Sequence, residues 1–184
     1  MGPLEIMKEG NQRYVSRISN SSSKSLGQST EVVCMKKPFA AVVTCFDSPV
    51  APDVIFDCDS RDLMVVQVVG NLINDGNLVR LEYAVQNFDI SLIVVIGHQQ
   101  CRSVQAALKG EKVSGYPSNL KGLESAIEAT QEKSVDAVCK MHTRLAIEDI
   151  FGFSEVFREK VSNRSLQIVG GFYCSDIGRM EWLD

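Results

Sequence analysis

Four short apolar runs constrain the fold of this 184-residue chain more than any other feature. They are FAAVVTC (39–45), LMVVQVV (63–69), SLIVVIG (91–97) and SLQIVGGFY (165–173), all rich in β-branched residues. Such runs suit strands buried on both faces of a sheet. Between them, NLVRLEYAVQNF (77–88) and CRSVQAALKG (101–110) have helical spacing. Leu78, Leu81, Ala84 and Val85 share one helical face, as do Val104, Ala107 and Leu108. Two longer helical stretches span 118–133 and 135–161, and RMEWLD, after the turn SDIG, reads as a returning antiparallel edge strand. Alternating strands and helices need right-handed crossovers. The predicted class is therefore α/β, with a mainly parallel central sheet, a C-terminal antiparallel edge strand and flanking helices. A first helix at 3–15 and the Ser-rich stretch SRISNSSSKSLGQST (16–30) make an N-terminal arm over 1–37. Residues 38–184 form the core of what reads as one domain.

The bulk properties narrow the partners. With 45% hydrophobic and 23% charged residues, the composition is ordinary for a soluble domain that buries a core without disulfides. The net charge is −4, and Lys and Arg are scattered beyond the pair Lys36-Lys37. That argues against nucleic acid or an anionic membrane as partner. No window approaches the roughly 18 apolar residues of a membrane span. The amphipathic start MGPLEIMKEGNQRYVSR lacks a signal-peptide core. Absent a removed leader, a cytoplasmic location is expected. Six cysteines (34, 45, 58, 101, 139, 174) contain no C-x-x-C pair. In a reducing compartment they read as core residues or metal ligands.

Chemistry in open α/β sheets gathers at the carboxyl ends of the strands. Cys45 ends the first strand run, with Asp47 two residues on, and His98 follows the third run. Cys101 stands three residues after His98 at the start of a helix, where the helix end favours a thiolate. If the first and third strands are neighbours, Cys45, Asp47, His98 and Cys101 converge. Two thiolates, an imidazole and a carboxylate make a good ligand set for tetrahedral zinc. The same residues taken singly also fit a plain role, because cysteine is often buried and a strand-end histidine is often just hydrogen-bonded. Periodicity alone leaves both readings open.

With these residues named, the chain resembles the β-class carbonic anhydrases nearly end to end. That family's first motif, C-x-D-x-R, is matched by CFDSPV, and its second, H-x-x-C, by GHQQC. IMKEGNQRYV, DLMVVQVVGN, LEYAVQNFDISLIVVIGH and IVGGFYCSDIGRMEWLD are similar to further family stretches. The resemblance implies a zinc protein that interconverts carbon dioxide and bicarbonate by attack of a metal-activated hydroxide. It also implies a homodimer or larger assembly, with N-terminal helices as arms across the partner. Cys45, His98 and Cys101 would be zinc ligands, and Asp47 either a fourth ligand or a catalytic group that swings away.

The chain departs from the family around this site. Pro49 stands where the motif arginine normally draws the aspartate off the metal, and proline offers neither charge nor donor. Cys58 stands about where many members have glutamine, Gln67 replaces a usual arginine, Arg102 a common glycine, and Val69 a small alanine. Weak or lost hydration is therefore expected, with Asp47 closing the zinc site, unless Arg102 or Arg61 reaches Asp47 instead. Other readings are hydrolysis of carbonyl sulfide or carbon disulfide, and a non-catalytic zinc-stabilised bicarbonate-binding or partner subunit. A nucleotide site is disfavoured, since VVGNLIND and VIGHQQC lack both G-x-G-x-x-G and G-K-[ST]. Gly70 and Asn71 read as a strand-ending turn, His142 as a surface or packed histidine, and Cys34, Cys139 and Cys174 as buried or incidental thiols.

Overall fold

The computed structural model describes residues 2–20, 37–49, 51–111 and 121–183. The elements in chain order are α1 (Pro3–Asn20), β1 (Ala40–Cys45), α2 (Pro52–Ile55), β2 (Leu63–Val68), α3 (Asp75–Asn87), β3 (Leu92–His98), α4 (Arg102–Leu108), α5 (Lys121–Ala129), α6 (Val135–Phe153), α7 (Glu155–Ser162), β4 (Gln167–Cys174) and β5 (Arg179–Leu183). They build the expected α/β fold around one five-stranded sheet of order β2-β1-β3-β4-β5. β2, β1, β3 and β4 are parallel, and β5 returns antiparallel along β4.

Every residue of β1 and β3 is buried, as their unbroken apolar runs require. Side chains alternate across the strand. Ala41, Val43, Ile93 and Val95 therefore join Leu78, Leu81, Ala146, Ile150 and Phe157 on one face. Ala40, Val42, Leu92, Val94 and Ile96 meet Met7, Ile55, Phe56 and Tyr173 on the other. A third cluster caps the carboxyl ends of the strands with Cys45, Cys101, Val104, Leu123, Val138 and Cys139. Gly97 lets α6 come close enough to complete it. A methyl group there would lie 2.6 Å from Thr143 Oγ1 and 2.9 Å from Cys139 Sγ.

Three boundaries differ from expectation. The first helix runs to Asn20, so residues 16–20 of the Ser-rich stretch are helical. Ser16 Oγ donates to the Gln12 carbonyl at 2.8 Å, which occupies a hydroxyl that would otherwise compete with the helix. The expected helix 135–161 is two helices, because Ser154 is extended (φ −142°, ψ 160°) and its side chain accepts from Phe157 N to start α7. The helix expected at 118–133 ends at Ala129. Residues 21–30 of the arm, Cys34 and the stretch 112–120 lie outside the described residues. α1 docks on its own chain through buried Met7 and Asn11. Asn11 Nδ2 donates to the Ile55 and Gly178 carbonyls, and Oδ1 accepts from Met180 N. Among the described residues no helix is long and apolar enough to cross a membrane.

The closeness of α6 to β3 gives a stability test. Gly97→Ala overpacks a buried contact and is expected to cost about 1–3 kcal/mol. Chemical denaturation measures it, and a variant as stable as the parent would contradict this packing.

Candidate metal centre

β1 and β3 are direct neighbours, with Thr44 opposite Ile96, so Cys45 and His98 end side by side. The chain turns after β3 through Gln99 and Gln100, and Cys101 falls at the start of α4. Asp47 swings back over the same point from the turn after β1. One ligand atom from each of Cys45, Asp47, His98 and Cys101 lies within 4.8 Å of every other. The two Sγ atoms are 3.9 Å apart. A tetrahedral zinc with Zn–S bonds of about 2.3 Å sets two sulfurs about 3.8 Å apart, so the pair fits such an ion without rearrangement.

Asp47 sits at the centre of the group. Its Oδ1 is 2.5 Å from Cys45 Sγ, 2.9 Å from His98 Nε2 and 3.9 Å from Cys101 Sγ. Its Oδ2 accepts from Arg102 N at 3.0 Å, and Arg102 Nε lies 3.5 Å away. His98 Nδ1 lies 2.8 Å from the Gln99 carbonyl, which can only accept, so Nδ1 carries the hydrogen. That orientation turns Nε2 toward the cluster, as a ligating histidine needs.

The protonation pattern follows from these contacts. Burial raises the Asp47 carboxyl, but the hydrogen bonds from Cys45 and from Arg102 N, with the charge and hydrogen bond of His98, more than offset this and hold it below its usual value. Burial opposes a charged His98, and its interactions with Cys45, Gln99 and Asp47 outweigh that, raising it. The Cys45 thiol is pushed well up, first by its hydrogen bond with Cys101 and then by burial. Cys101 is pushed up to about 12, first by its hydrogen bond with Cys139. Without a metal, the group is thus a carboxylate among protonated thiols.

The remaining residues named from the sequence are placed as follows. Arg102 meets Asp47 through both its backbone N–H and its guanidinium. Arg61 pairs with Asp59, through Nε at 2.9 Å and Nη2 at 2.8 Å. Cys58 is half-buried beside the α1–α2 cluster, and burial with the nearby Asp62, Asp53, Asp57 and Asp59 pushes its thiol up to about 12. Gln67 is exposed on β2, in a groove it lines with Val65, Val79 and Tyr83. Pro49 is exposed in the turn after Asp47. Two contributors had no sequence assignment to the site. Cys139 lies against Cys101, and the Gly70 amide donates to Cys45 Sγ at 3.2 Å. The pair Gly70-Asn71 at a strand end was the available signal for the second.

Residues 40–180 match the family model described as carbonic anhydrase. The chain belongs to the β-carbonic anhydrase family. Carbonic anhydrase 2 of Mycobacterium tuberculosis is 33% identical over 188 aligned residues, covering 95% of this chain and 88% of that protein. A tetrameric β-carbonic anhydrase of Sordaria macrospora superposes with a TM-score of 0.68 at 23% identity, over 80% of this chain and 81% of that one. CafA, a β-carbonic anhydrase of Aspergillus fumigatus, gives a TM-score of 0.71 at 22% identity, over 81% and 76% of the two chains. Those two likenesses concern the fold. In this member of the family, the donor set of Cys45, Asp47, His98 and Cys101 fits a metal ion.

Metal uptake must displace the thiol protons, because thiolates are the ligands. Both thiols titrate above their ordinary value in the free protein, so each bound ion releases two protons near neutrality. Zinc affinity is expected to fall at least about 100-fold for each unit the pH drops below 8, and more steeply where His98 also takes up a proton. Competition with a chromogenic chelator at two pH values measures this. An affinity independent of pH would contradict the two-thiol site.

Proposed function

We propose that this β-carbonic anhydrase binds zinc through Cys45, His98, Cys101 and Asp47, and catalyses slow reversible hydration of carbon dioxide to bicarbonate. The observation that carries this reading is the double tie on Asp47, with Oδ1 among the ligand atoms and Oδ2 on Arg102. Zinc bound there supplies the Lewis acidity that turns water into a nucleophile at neutral pH. His98 presents Nε2 because Gln99 holds its Nδ1–H. Asp47 is the group that must move for a fourth position to open.

Two ties on Asp47 differ in strength. The Arg102 side chain is 81% exposed, and an exposed ion pair contributes about 1 kcal/mol at most. The backbone N–H is the firmer anchor and survives any substitution but proline. Arg102 therefore replaces the motif arginine only in part, which supports a slow enzyme rather than a fast one.

We also assign this protein to a homo-oligomer. β2 is an edge strand, and Val65, Val69, Val79 and Tyr83 beside it are 41–59% exposed. A second copy covering that face would shield an edge that otherwise invites pairing. The composition favours neither nucleic acid nor a membrane as partner, and a cytoplasmic location accords with the proposed cysteine chemistry.

Stopped-flow hydration of carbon dioxide by zinc-loaded protein tests the assignment. Arg102→Ala is expected to lower kcat/KM about fivefold, the worth of one exposed pair. Pro49→Arg, which restores a side chain able to draw Asp47 aside, is expected to raise kcat/KM more than about tenfold at equal zinc content. Full zinc occupancy with no turnover in either form would replace this reading with a non-catalytic one. Turnover of carbonyl sulfide or carbon disulfide alone would replace the substrate.

A further inference from the structure

His142 has no part in the proposed chemistry, yet it is placed at a cost. It lies on the inner face of α6 with 5% of its surface exposed. Its Nε2 is 3.2 Å from the Asn71 carbonyl oxygen, which can only accept, so Nε2 carries the hydrogen. Burial pushes the ring's pKa down against the pull of the Asn71, Gly70 and Gly122 carbonyls facing it, and the imidazole is neutral. Nδ1 is then a buried acceptor with no hydrogen-bond partner among the described residues. An apolar side chain on α6 would avoid that penalty. Packing alone does not account for a histidine at this position, whereas the bond from Nε2–H does.

That bond holds a left-handed turn. Gly70 and Asn71 both lie in that region, with φ of 63° and 56°, and asparagine is among the few residues besides glycine that adopt it readily. Asn71 is supported on two sides. Its Nδ2 donates to the Ile96 carbonyl of β3 at 2.8 Å, and its own carbonyl accepts from His142. The Leu72 amide closes the turn on the Val69 carbonyl at 3.2 Å. Only glycine fits at the first of the two left-handed positions, since a Cβ on Gly70 would meet Ser103 Cβ of α4 at 2.9 Å. The product of the turn is the aim of the Gly70 N–H, 3.2 Å from Cys45 Sγ.

We propose that His142 is a positioning residue for the metal centre: by holding the Asn71 carbonyl, it keeps the Gly70 N–H donating to the Cys45 sulfur. This rests on the reading that Cys45, Asp47, His98 and Cys101 hold the metal. An N–H bond to a thiolate is charge-assisted and withdraws charge from the sulfur. Two thiolates damp the charge of the ion they bind, and this bond returns part of it, as outer hydrogen bonds do in other metal sites. The effect originates on α6 and passes to the sulfur through the Asn71–Gly70 backbone.

Cobalt(II) in place of zinc makes the sulfur charge visible through thiolate-to-metal absorption. The wild type, His142→Leu and His142→Gln are compared as cobalt-loaded full-length proteins. Gln keeps a side-chain N–H for the Asn71 carbonyl, and Leu removes it. His142→Leu is expected to move the absorption to longer wavelength, and His142→Gln to keep it near the wild-type position. A folded Leu variant with an unshifted band would overturn the proposal. Should the Leu variant not fold, the wild type and His142→Ala are compared by NMR with cadmium-113 bound. Coupling of the metal to the Gly70 amide proton is expected in the wild type and a weaker one in His142→Ala; no coupling, or equal coupling in the two, would overturn the proposal. Cobalt uptake by the wild type without any thiolate band is a separate result that would sink the metal reading itself.

Discussion

The parallel pairing of β1 with β3 is the contact on which the site depends. Thr44 lies opposite Ile96, so the two strands deliver Cys45 and His98 to one point at their carboxyl ends. Both strands are buried throughout, and a slip of one residue would exchange the side chains facing the two helix layers. The packing of Ala40 to Val43 and Leu92 to Ile96 between the two helix layers thus sets the position of the polar cluster at the strand ends. α4 follows from the same pairing, because the two-residue turn after His98 returns Cys101 to the strand end and points the Arg102 amide at Asp47.

Hydrogen-bond partners on the neighbouring backbone and side chains give the cluster its character. Cys45 accepts from Gly70 N, His98 is oriented by Gln99, Asp47 is anchored by Arg102 N, and Cys101 abuts Cys139. The walls are apolar, with Val104, Leu123, Val138 and Phe172 packed around the cysteines. In such surroundings a hydrogen bond is electrostatically stronger than in water, and a misplaced one is costlier. The aspartate is the residue these forces share out. Its two oxygens face opposite ways, one to the ligand atoms and one to α4.

The fold was legible in the sequence because its signals are redundant. Each buried strand is an unbroken apolar run, and the residues of the candidate metal cluster sit where those runs end. The helix boundaries were less legible. Ser154 interrupts one helical stretch by capping the next helix, and a single serine within a periodic pattern gives little warning of that. At the site, all four residues of the cluster that could hold a metal were named from strand ends and motif spacing. Arg102 could be named only as one of two arginines within reach, since partner choice depends on the direction α4 takes. Gly70 and Asn71 read as a turn, which the structure shows, and His142 as a surface or packed histidine, of which the structure shows the packed one. Their link to Cys45 runs through backbone atoms, and a residue pattern carries no information about where a backbone amide points.

X-ray absorption at the zinc edge of the purified protein tests the metal centre most directly. Two sulfur neighbours at about 2.3 Å and two nitrogen or oxygen neighbours at about 2.0–2.1 Å are expected for Cys45, Cys101, His98 and Asp47. A shell without sulfur, or protein that retains no zinc after exposure to it at neutral pH, would contradict the site described for this chain.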